Sequence, residues 1–514
     1  MYLARFTPLF WLLFLFFYGC SPSQIETTES RPNIVLFMVD DLGWQDLAVP
    51  FGDQATKANR LYRTPNLQRL ASEGMKFTQA YATPVCSPTR VSLLTGMNAA
   101  RHRVTNWTLY KDKIQPMETD HEELEFPFWN VNGISPQANL DHAVHATTFP
   151  MILQEHGYTT IHVGKAHFGA IGTPGAEPLN LGFDFNVAGH AAGAPKSYYG
   201  LENFGNTEEF AGTPWPVPGL ELYHGKDIFL TEALTLETLK ILEKTEDPFF
   251  LYYSFYGVHT PIMADQRFVN DYLKMGLDST EAAYASMIEA MDKGVGDIMN
   301  YLEEKNLAQN TIVLFMSDNG GLSAVARGGS PHTHNRPLAS GKGSIYEGGI
   351  REPMMVRWPG RVNANSTNDQ YLIIEDFFPT ILEMAGIQDY STVQVLDGIS
   401  FTKLLEASQE EQSRPLFWHY PNEWGPSGPG IGAFSAVRMG SWKLIYYHLD
   451  QSFELFNLES DIGESQNLAQ SHPQKKEELA KVLGEYLVSI DAQMPKLRIS
   501  GEVIAYPHVT LSDR

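Results

Sequence analysis

The sequence predicts an α/β protein: a large, doubly wound, mostly parallel sheet flanked by helices, followed by a smaller C-terminal α+β subdomain with an antiparallel sheet. Two observations carry this prediction. Strand-like and helix-like segments alternate over most of the 514 residues, which is the order found in doubly wound sheets. After about residue 390 the pattern changes to short strand-like segments and a Gly- and Pro-rich loop, which favours antiparallel structure.

The first thirty residues are predicted to serve export. A short positive region precedes the apolar run 6–18, which has the length of a signal peptide and is too short for a membrane-spanning helix. Phe17-Tyr18-Gly19-Cys20 resembles a bacterial lipobox. We therefore expect a lipoprotein signal peptide over 1–19, lipidation of Cys20 and a polar tether over 20–30. The alternative is ordinary secretion with a free Cys20 thiol.

Four continuous apolar runs predict buried parallel strands, because a strand that is covered on both faces loses the alternation of polar and apolar residues. They span 33–39, 159–163, 249–256 and 311–316. Each is followed by polar residues: Asp40-Asp41, Gly164-Lys165-Ala166-His167, Gly257-Val258-His259 and Ser317-Asp318-Asn319-Gly320. Ligands of open α/β sheets bind beyond the carboxyl ends of the strands, so one cleft is expected to collect all four sets.

Helical spacing of apolar residues predicts a helix before the second of these strands and another before the fourth. The C-terminal region predicts short antiparallel strands at 434–438, 442–447 and 453–456, a loop at 422–432 and an amphipathic closing helix at 475–490. We place a catalytic domain at 31–390 and a C-terminal subdomain at 391–514.

Composition excludes some functions. The formal net charge of −23 argues against a nucleic-acid partner, because such a protein needs a surface that neutralises phosphates. Cys20 and Cys86 are the two cysteines of the chain, and lipidation of Cys20 would leave no disulfide partner for Cys86.

Cys86 lies in the sharpest motif of the sequence, Cys86-Ser87-Pro88-Thr89-Arg90, a C-x-P-x-R pattern. The surrounding residues predict a loop that leads into a helix near Pro88. Cys86 would then lie at a helix N-terminus, where free N–H groups and the helix dipole favour an anion. By itself the motif is equally compatible with a buried apolar cysteine beside a proline that starts a helix.

With these motifs the sequence resembles the formylglycine-dependent sulfatases of the alkaline-phosphatase-like superfamily, from Asn33 to about Leu468. The pentapeptide at Cys86 matches the maturation signal of that family in its cysteine form. The other motifs match in order: Asp40-Asp41, Gly164-Lys165 with His167, His259-Thr260-Pro261, Asp318-Asn319-Gly320, Gly341-Lys342-Gly343 and Tyr346-Glu347-Gly348-Gly349-Ile350-Arg351. Trp442-Lys443-Leu444 and Glu454-Leu455-Phe456-Asn457-Leu458 resemble its C-terminal subdomain. Ala166 departs from the family, since many members have Trp there.

The resemblance implies that a formylglycine-generating or maturase enzyme oxidises Cys86 to formylglycine, whose hydrated aldehyde supplies the nucleophile. It also implies a metal site made by Asp40, Asp41, Asp318, Asn319 and the modified Cys86. Oxygen ligands of this kind select a hard cation, and Ca²⁺ is preferred over Mg²⁺ where several protein ligands surround the ion.

The resemblance implies a role for each remaining motif residue. Arg90 would hold the aldehyde hydrate, while Lys165 and Lys342 would bind sulfate oxygens. His167 would orient the second hydroxyl, and His259 would protonate the leaving alkoxide, with Lys342 as the alternative acid.

Together these features predict a lipid-anchored sulfatase in the periplasm, the outer membrane or at the cell surface. Its expected substrate is a sulfated oligo- or polysaccharide, either algal such as ulvan or carrageenan or a glycosaminoglycan. His332 and His334 are candidate substrate contacts, and a solvated loop explains them equally well. The alternatives are a phosphonate or phosphate ester hydrolase of the same superfamily and a non-catalytic, glycan-binding surface lipoprotein.

Overall fold

The computed structural model describes residues 2, 31–114, 121–246, 248–324, 327–406, 414–425 and 427–512. The predicted signal peptide, the predicted lipidation site at Cys20 and the predicted tether lie outside these described residues, apart from Tyr2. Arg31–Arg514 forms one compact unit, and the boundary expected near residue 390 stays a prediction. Among the helices described, none combines the length and the apolar character needed to cross a bilayer.

The strands of the described residues are short to medium in length. In chain order they are β1 (Asn33–Val39), β2 (Met75–Tyr81), β3 (Leu124–Glu125), β4 (Ile134–Ser135), β5 (Val144–His145), β6 (Thr159–Gly164), β7 (Phe185–Val187), β8 (Phe249–Ser254), β9 (Thr311–Ser317), β10 (Arg351–Arg357), β11 (Ser366–Asn368), β12 (Leu372–Ile373), β13 (Leu416–Tyr420), β14 (Phe434–Met439), β15 (Trp442–Tyr447), β16 (Phe453–Asn457) and β17 (Lys496–Leu497).

The α-helices range from single turns to a long helix that packs along the sheet. In chain order they are α1 (Lys57–Leu61), α2 (Pro65–Glu73), α3 (Cys86–Thr95), α4 (Ala99–His102), α5 (Phe149–Glu155), α6 (Leu230–Leu242), α7 (Val269–Lys274), α8 (Ser279–Glu304), α9 (Glu347–Ile350), α10 (Phe377–Met384), α11 (Thr402–Leu405), α12 (Pro473–Ser489) and α13 (Pro507–Ser512).

The large sheet confirms the predicted fold class. Its strand order within the described residues is β11-β2-β10-β9-β1-β8-β6-β7, with β12 also paired to β2. All neighbouring pairs are parallel except those that β10 makes with β9 and β2. The sheet is therefore mostly parallel, with one antiparallel strand inside it.

β1 shows why its sequence is a continuous apolar run. Ile34, Leu36 and Met38 pack into one hydrophobic core, and the alternate residues of the same strand pack into a second core. The first core also contains residues of α3, α5 and α10, and the second contains residues of α2, α6 and α8. Helices thus cover both faces of the sheet, as a doubly wound sheet requires.

The C-terminal region forms a four-stranded antiparallel sheet in the order β13-β14-β15-β16. Helix α12 packs on it through Leu479, Leu483 and Leu487, which contact Val437 and Leu444 in a third core. The three predicted strands and the closing helix are confirmed, and β13 is an additional strand.

Five of the nine strands of the large sheet in the described residues were not predicted from the sequence, and β2 and β10 are the two longest of these. β2 (Met75–Tyr81) alternates polar and apolar residues, and β10 (Arg351–Arg357) contains Pro353. The pairing of β10 with β2 shifts register between Glu352 and Met354, so a bulge accommodates the proline. The helix expected near Pro88 begins at Cys86 itself.

Candidate active site

The topology brings the predicted motifs to one edge of the large sheet. β1, β6, β8 and β9 are parallel neighbours, so the residues that follow them lie side by side. β2 runs in the same direction and is followed by α3, which begins at Cys86. β10 runs the opposite way, so the Lys342 segment before it reaches the same edge. The residues that follow the four predicted strands therefore lie at one edge of the sheet, and their role as one binding cleft stays a prediction.

The ends of β1 and β9 are joined by hydrogen bonds. Asp41 has a positive φ of 59°, and its N–H donates to Oδ1 of Asp318 at 3.2 Å. Asn319 donates from Nδ2 to Oδ1 of Asp41 at 2.7 Å. Leu42 N–H donates to Oγ of Ser317 at 3.1 Å. These contacts fix the carboxylates of the two strand ends against each other.

Two oxygens of this cluster are left without a hydrogen-bond partner among the described residues. They are Oδ2 of Asp41 and Oδ1 of Asn319, and both are buried. Nε2 of His259 lies 3.7 Å from Asp41 Oδ2, which is beyond hydrogen-bond length. Buried oxygens without partners are costly unless something binds them, so the pair fits a metal ion.

Asp40, Asp41, Cys86 and His259 form a possible metal-binding cluster, with one ligand atom of each within 4.8 Å of the others. Asp318 and Asn319 adjoin it through the hydrogen bonds to Asp41. The oxygen-rich donor set fits a hard divalent cation, as the sequence predicts.

Three buried cations surround the carboxylates. Lys165 Nζ lies 2.6 Å from Oδ2 of Asp40, and Lys342 Nζ lies 2.6 Å from Oδ1 of Asp41. Arg90 donates from Nε and Nη2 to Oδ2 of Asp318 at 2.9 and 2.8 Å, and from Nη1 to the carbonyl of Lys165 at 3.0 Å. The three cations therefore balance the three aspartates, and a bound divalent cation would make the site positive, which suits an anionic substrate.

Burial and these cations act in opposite directions on the two neighbouring aspartates. In Asp40, burial raises the pKa to about 8 although Lys165 opposes it. In Asp41, burial also acts to raise the pKa, but Lys342 and His259 outweigh it and lower the pKa to about 2. In the absence of a metal ion, burial thus favours the neutral form of Asp40, and Lys342 favours the ionised form of Asp41.

Cys86 lies at the centre of this arrangement. It is the first residue of α3, and 3% of its surface is exposed. Its Sγ lies 3.4 Å from Nζ of Lys342 and 3.6 Å from Oδ1 of Asp40. Burial raises the pKa of the thiol to about 12 in spite of Lys165 and Lys342. An unmodified Cys86 is therefore a neutral thiol, which is a poor nucleophile.

Each catalytic histidine candidate uses one ring nitrogen to hold its orientation. His167 Nε2 lies 2.9 Å from the carbonyl of Thr108, and His259 Nδ1 lies 2.8 Å from the carbonyl of Thr260. A carbonyl only accepts, so these nitrogens carry the proton. Burial and Lys165 lower the pKa of His167 well below its usual value, and burial and Lys342 lower that of His259 to about 3.

His332 and His334 lie in the loop before the Lys342 segment. Both ring nitrogens of His334 are occupied within that loop, by Oγ of Ser323 at 3.1 Å and the carbonyl of Gly328 at 2.6 Å. The ring of His332 packs against Gly428. Neither makes a hydrogen bond to the catalytic candidates in the described part of the chain. Their predicted role in substrate binding stays a prediction.

The sequence reading missed several residues that contact the site. Ser254 ends β8 and accepts a hydrogen bond from Arg90 at 2.5 Å. The ring of Trp424 lies on Gly343 and 5.9 Å from Nζ of Lys342. Glu352 is fully buried, and neither of its oxygens has a hydrogen-bond partner in the described part of the chain. Burial raises its pKa well above the usual range, with Asp318 and Asp41 adding to the effect. Of these residues, only Ser254 had a signal in the sequence, because it is a polar residue at the end of a predicted strand.

Comparison with known proteins agrees with this geometry. Residues 32–387 match the family model described as sulfatase. The chain belongs to the sulfatase family. Residues 341–493 of this sulfatase also match the family described as N-sulphoglucosamine sulphohydrolase, C-terminal. The family and its relatives identify the chain as a sulfuric ester hydrolase.

Its relatives span bacteria and mammals. A sulfatase of Formosa agariphila is 31% identical, covering 88% of this chain and 87% of the relative. The N-acetylgalactosamine-6-sulfatase of Canis lupus familiaris is 30% identical, covering 88% and 78%. Among solved structures, Ps i-CgsB in complex with k-i-k-neocarrahexaose is 27% identical with a TM-score of 0.69, covering 89% and 93%.

Proposed function

We propose that this sulfatase hydrolyses sulfate esters of a carbohydrate, using a formylglycine made from Cys86 and a bound Ca²⁺ ion. The observation that carries the proposal is the position of Cys86. It lies buried between Lys342 and Asp40 at the start of α3, with no cysteine within bonding distance among the described residues and a thiol too basic to ionise. The residues around Cys86 are those expected around a nucleophile, but its thiol stays protonated and is therefore a poor nucleophile.

Conversion of Cys86 to formylglycine would replace the protonated thiol with a different nucleophile, the hydrated aldehyde. The change is an oxidation, which a separate formylglycine-generating or maturase enzyme must perform. The hydrated aldehyde would offer one hydroxyl to attack sulfur and a second whose deprotonation releases the sulfate. Arg90, one helical turn further along α3, is held by Asp318 and lies beside this position, where its guanidinium would stabilise the hydrate.

The metal ligands proposed are Asp40, Asp41, Asp318, Asn319 and the modified Cys86. Asp41 Oδ2 and Asn319 Oδ1 are available for coordination because no hydrogen bond in the described residues occupies them. When bound, the cation would neutralise charge on the sulfuryl group and favour the ionised nucleophile. The side chains of Lys165 and Lys342 would then turn from the carboxylates to the sulfate oxygens, since both cations compete for the same anionic centre.

We assign the two histidines to separate proton transfers. His167 presents Nδ1, which has no partner among the described residues and accepts a proton in the neutral ring. We assign it to the second hydroxyl. His259 presents Nε2 from the end of β8, and we assign it to the leaving oxygen. Because its ring is neutral in the free site, His259 needs the negative charge of a bound sulfate ester to take up its proton.

The carbohydrate class is proposed from the relatives. One is named for N-acetylgalactosamine-6-sulfate, and one was solved with a carrageenan oligosaccharide. Sulfated algal polysaccharides such as carrageenan or ulvan, and glycosaminoglycans, are therefore the substrates to test. We also propose export with a lipid anchor on Cys20, in the periplasm, the outer membrane or at the cell surface, on the basis of the N-terminal sequence alone.

The decisive experiment measures free sulfate from a panel of defined sulfated oligosaccharides. The protein is co-expressed with a maturase, and mass spectrometry of the peptide containing Cys86 gives the extent of conversion. We expect sulfate release in proportion to the converted fraction, and Cys86→Ala is the matched control. Full activity with an unmodified thiol would contradict the proposal. Preference for phosphonate or phosphate esters in competition would favour the alternative hydrolase, and full conversion without turnover would favour a glycan-binding protein.

A further inference from the structure

The start of the segment that carries Lys342 is tied to both halves of the catalytic centre. The backbone N–H of Lys342 donates to the carbonyl of Gly321 at 3.1 Å, two residues beyond Asn319. The N–H of Gly343 donates to the carbonyl of Pro84 at 2.8 Å, two residues before Cys86. A displacement of this segment therefore moves Lys342 relative to the nucleophile and to the carboxylate cluster.

The rest of the segment is tied to the C-terminal sheet and the loop that enters it. Ser344 Oγ donates to the carbonyl of Pro429 at 2.8 Å, and Ile345 N–H donates to the carbonyl of Gly430 at 2.9 Å. Tyr346 donates from its hydroxyl to Oε2 of Glu454, a residue of β16, at 2.8 Å. The catalytic lysine thus depends on contacts from a part of the chain that supplies no member of the catalytic cluster.

The strongest of these ties is a buried ion cluster. Lys443 of β15 is fully buried, and its Nζ lies 3.0 Å from Oε1 of Glu347 and 2.8 Å from Oε1 of Glu464. Glu464 accepts the backbone N–H of Glu347 through its other oxygen at 2.5 Å. Glu347 also accepts the hydroxyl of Tyr81, at the end of β2, at 2.6 Å. Lys443 therefore lies between two carboxylates that would otherwise repel each other at the end of the Lys342 segment.

Burying this ion cluster has a cost in free energy that an apolar contact would avoid. Buried charges lose their hydration, and an apolar cluster of similar volume stabilises a fold as well or better. A buried ion pair does fix geometry closely, because its removal leaves an uncompensated charge. Here the fixed element is α9, which begins at Glu347, five residues after the catalytic lysine.

We propose that Lys443 is a positioning residue that holds Lys342 at the nucleophile through Glu347 and Glu464. The inference rests on the proposed function for the role of Lys342, and the anchoring itself can be measured without turnover. In this proposal the C-terminal subdomain contributes to catalysis without contacting the substrate.

The test uses the matured full-length enzyme and three variants. Lys443→Met removes the cation with little change of volume. Lys443→Met combined with Glu464→Gln removes one charge of each sign, so the cluster keeps its net charge and the protein does not have to fold around an uncompensated carboxylate. Arg357→Met is the control, since Arg357 is a buried cation paired with Glu73 at the other end of β10.

Two readouts separate positioning from general stability. Amide hydrogen exchange should rise in peptides covering 341–349 in both Lys443 variants and stay unchanged there in Arg357→Met. The kcat/KM on an aryl sulfate should fall about 10²-fold, the scale expected for a small misplacement of a catalytic group. In a Lys342→Ala background the same Lys443 variants should lower kcat/KM by less than about threefold. The reason is that the effects of two residues that act through one another are not additive.

Unchanged exchange at 341–349 would overturn the proposal, as would equal losses in the two backgrounds. If the proposed function is wrong, the wild-type enzyme with converted Cys86 will release no sulfate, and this is measured separately. In that case the exchange result still decides whether Lys443 anchors the segment.

Discussion

Asn319 donates a hydrogen bond of 2.7 Å from its amide nitrogen to Oδ1 of Asp41. The other carboxylate oxygen of Asp41 and the amide oxygen of Asn319 are both buried and without a partner among the described residues. The contact joins the carboxyl end of β9 to that of β1, which are neighbours in the sheet. The hydrogen bond leaves both of these oxygens available to bind a cation. This is the geometry that a bound cation would complete, and it leads to the first prediction.

Asp318→Ala should remove the metal and the activity together. The site would lose a charged ligand and the partner that holds Arg90, so we expect a fall in kcat/KM of more than about 10²-fold. Metal analysis of the dialysed protein should show one divalent cation per wild-type chain and a much smaller amount in the variant. Asp450→Ala, in a turn of the C-terminal sheet, is the control. Stoichiometric zinc in a fully active enzyme that lacks calcium would refute the assignment.

Cys86→Ser should abolish multiple turnover in the cysteine-type enzyme. Serine at this position escapes the maturation route, and its single hydroxyl lacks the second one needed to release sulfate. In a burst measurement we expect at most one equivalent of the leaving alcohol per chain and no free sulfate, because the sulfate stays esterified to the serine, whereas the wild type releases both continuously. Steady turnover by the serine variant, with the side chain shown to be unmodified by mass spectrometry, would rule out the formylglycine mechanism.

His259→Ala and His167→Ala should differ in their dependence on the leaving group. If His259 protonates the leaving oxygen, its loss should cost about 10²–10⁴-fold on a sugar sulfate and little on an activated aryl sulfate, whose leaving group needs no proton. Loss of His167 should slow both substrates, because it serves the nucleophile. Equal losses for His259→Ala on the two substrates would transfer the acid role to Lys342.

Glu464 should make the free energy of unfolding depend on pH. Burial raises its pKa from 4.5 to about 7 against the effect of Lys443, so the folded protein holds this proton more tightly than the unfolded chain. Its contribution is fully present below pH 4.5 and is lost as the pH rises to about 7. Relative to Glu464→Gln, the wild type should lose stability through this window with a slope of up to about 1.4 kcal/mol per pH unit.

Urea unfolding at several pH values measures the difference between the two proteins. Glu459→Gln, an exposed change in the same turn region, is the control and should follow the wild type. A pH-independent difference between wild type and Glu464→Gln contradicts the prediction.

Gly343→Ala should impair catalysis through Trp424. Gly343 has a positive φ of 86°, and an added Cβ would lie 1.9 Å from Cε3 of Trp424. Alanine must therefore displace the ring or the backbone next to Lys342. Gly360→Ala is a matched control, with a φ of 79° and nothing within 4 Å of the added atom. Both changes should cost about 1–2 kcal/mol of stability for the backbone conformation, and only Gly343→Ala should lower kcat/KM.

Combining Gly343→Ala with Trp424→Ala removes the clash. We expect the double variant to recover part of the activity lost by Gly343→Ala. If Trp424→Ala gives no recovery, the ring is not what requires glycine at this position.

The amino-acid sequence by itself was enough to predict which edge of the sheet carries the candidate active site. Continuous apolar runs identified β1, β6, β8 and β9, because a strand buried on both faces needs apolar residues at every position. The polar residues after each run then had to meet, since parallel strands end at a common edge. This local chemistry was enough to collect Asp40, Asp41, Lys165, His259 and Asp318 in one predicted site.

Only the tertiary structure decided what fixes those residues in place. Lys443, Glu347 and Glu464 are far apart in the chain, and nothing in their local pattern shows that they form one buried cluster. Glu352 is likewise an ordinary acid in the sequence, and in the fold it is a buried carboxyl without a hydrogen-bond partner among the residues described. Local periodicity reports which face of an element is buried. Which distant side chain lies opposite depends on how the elements pack, and that packing sets both the burial of a charge and the partner that compensates it.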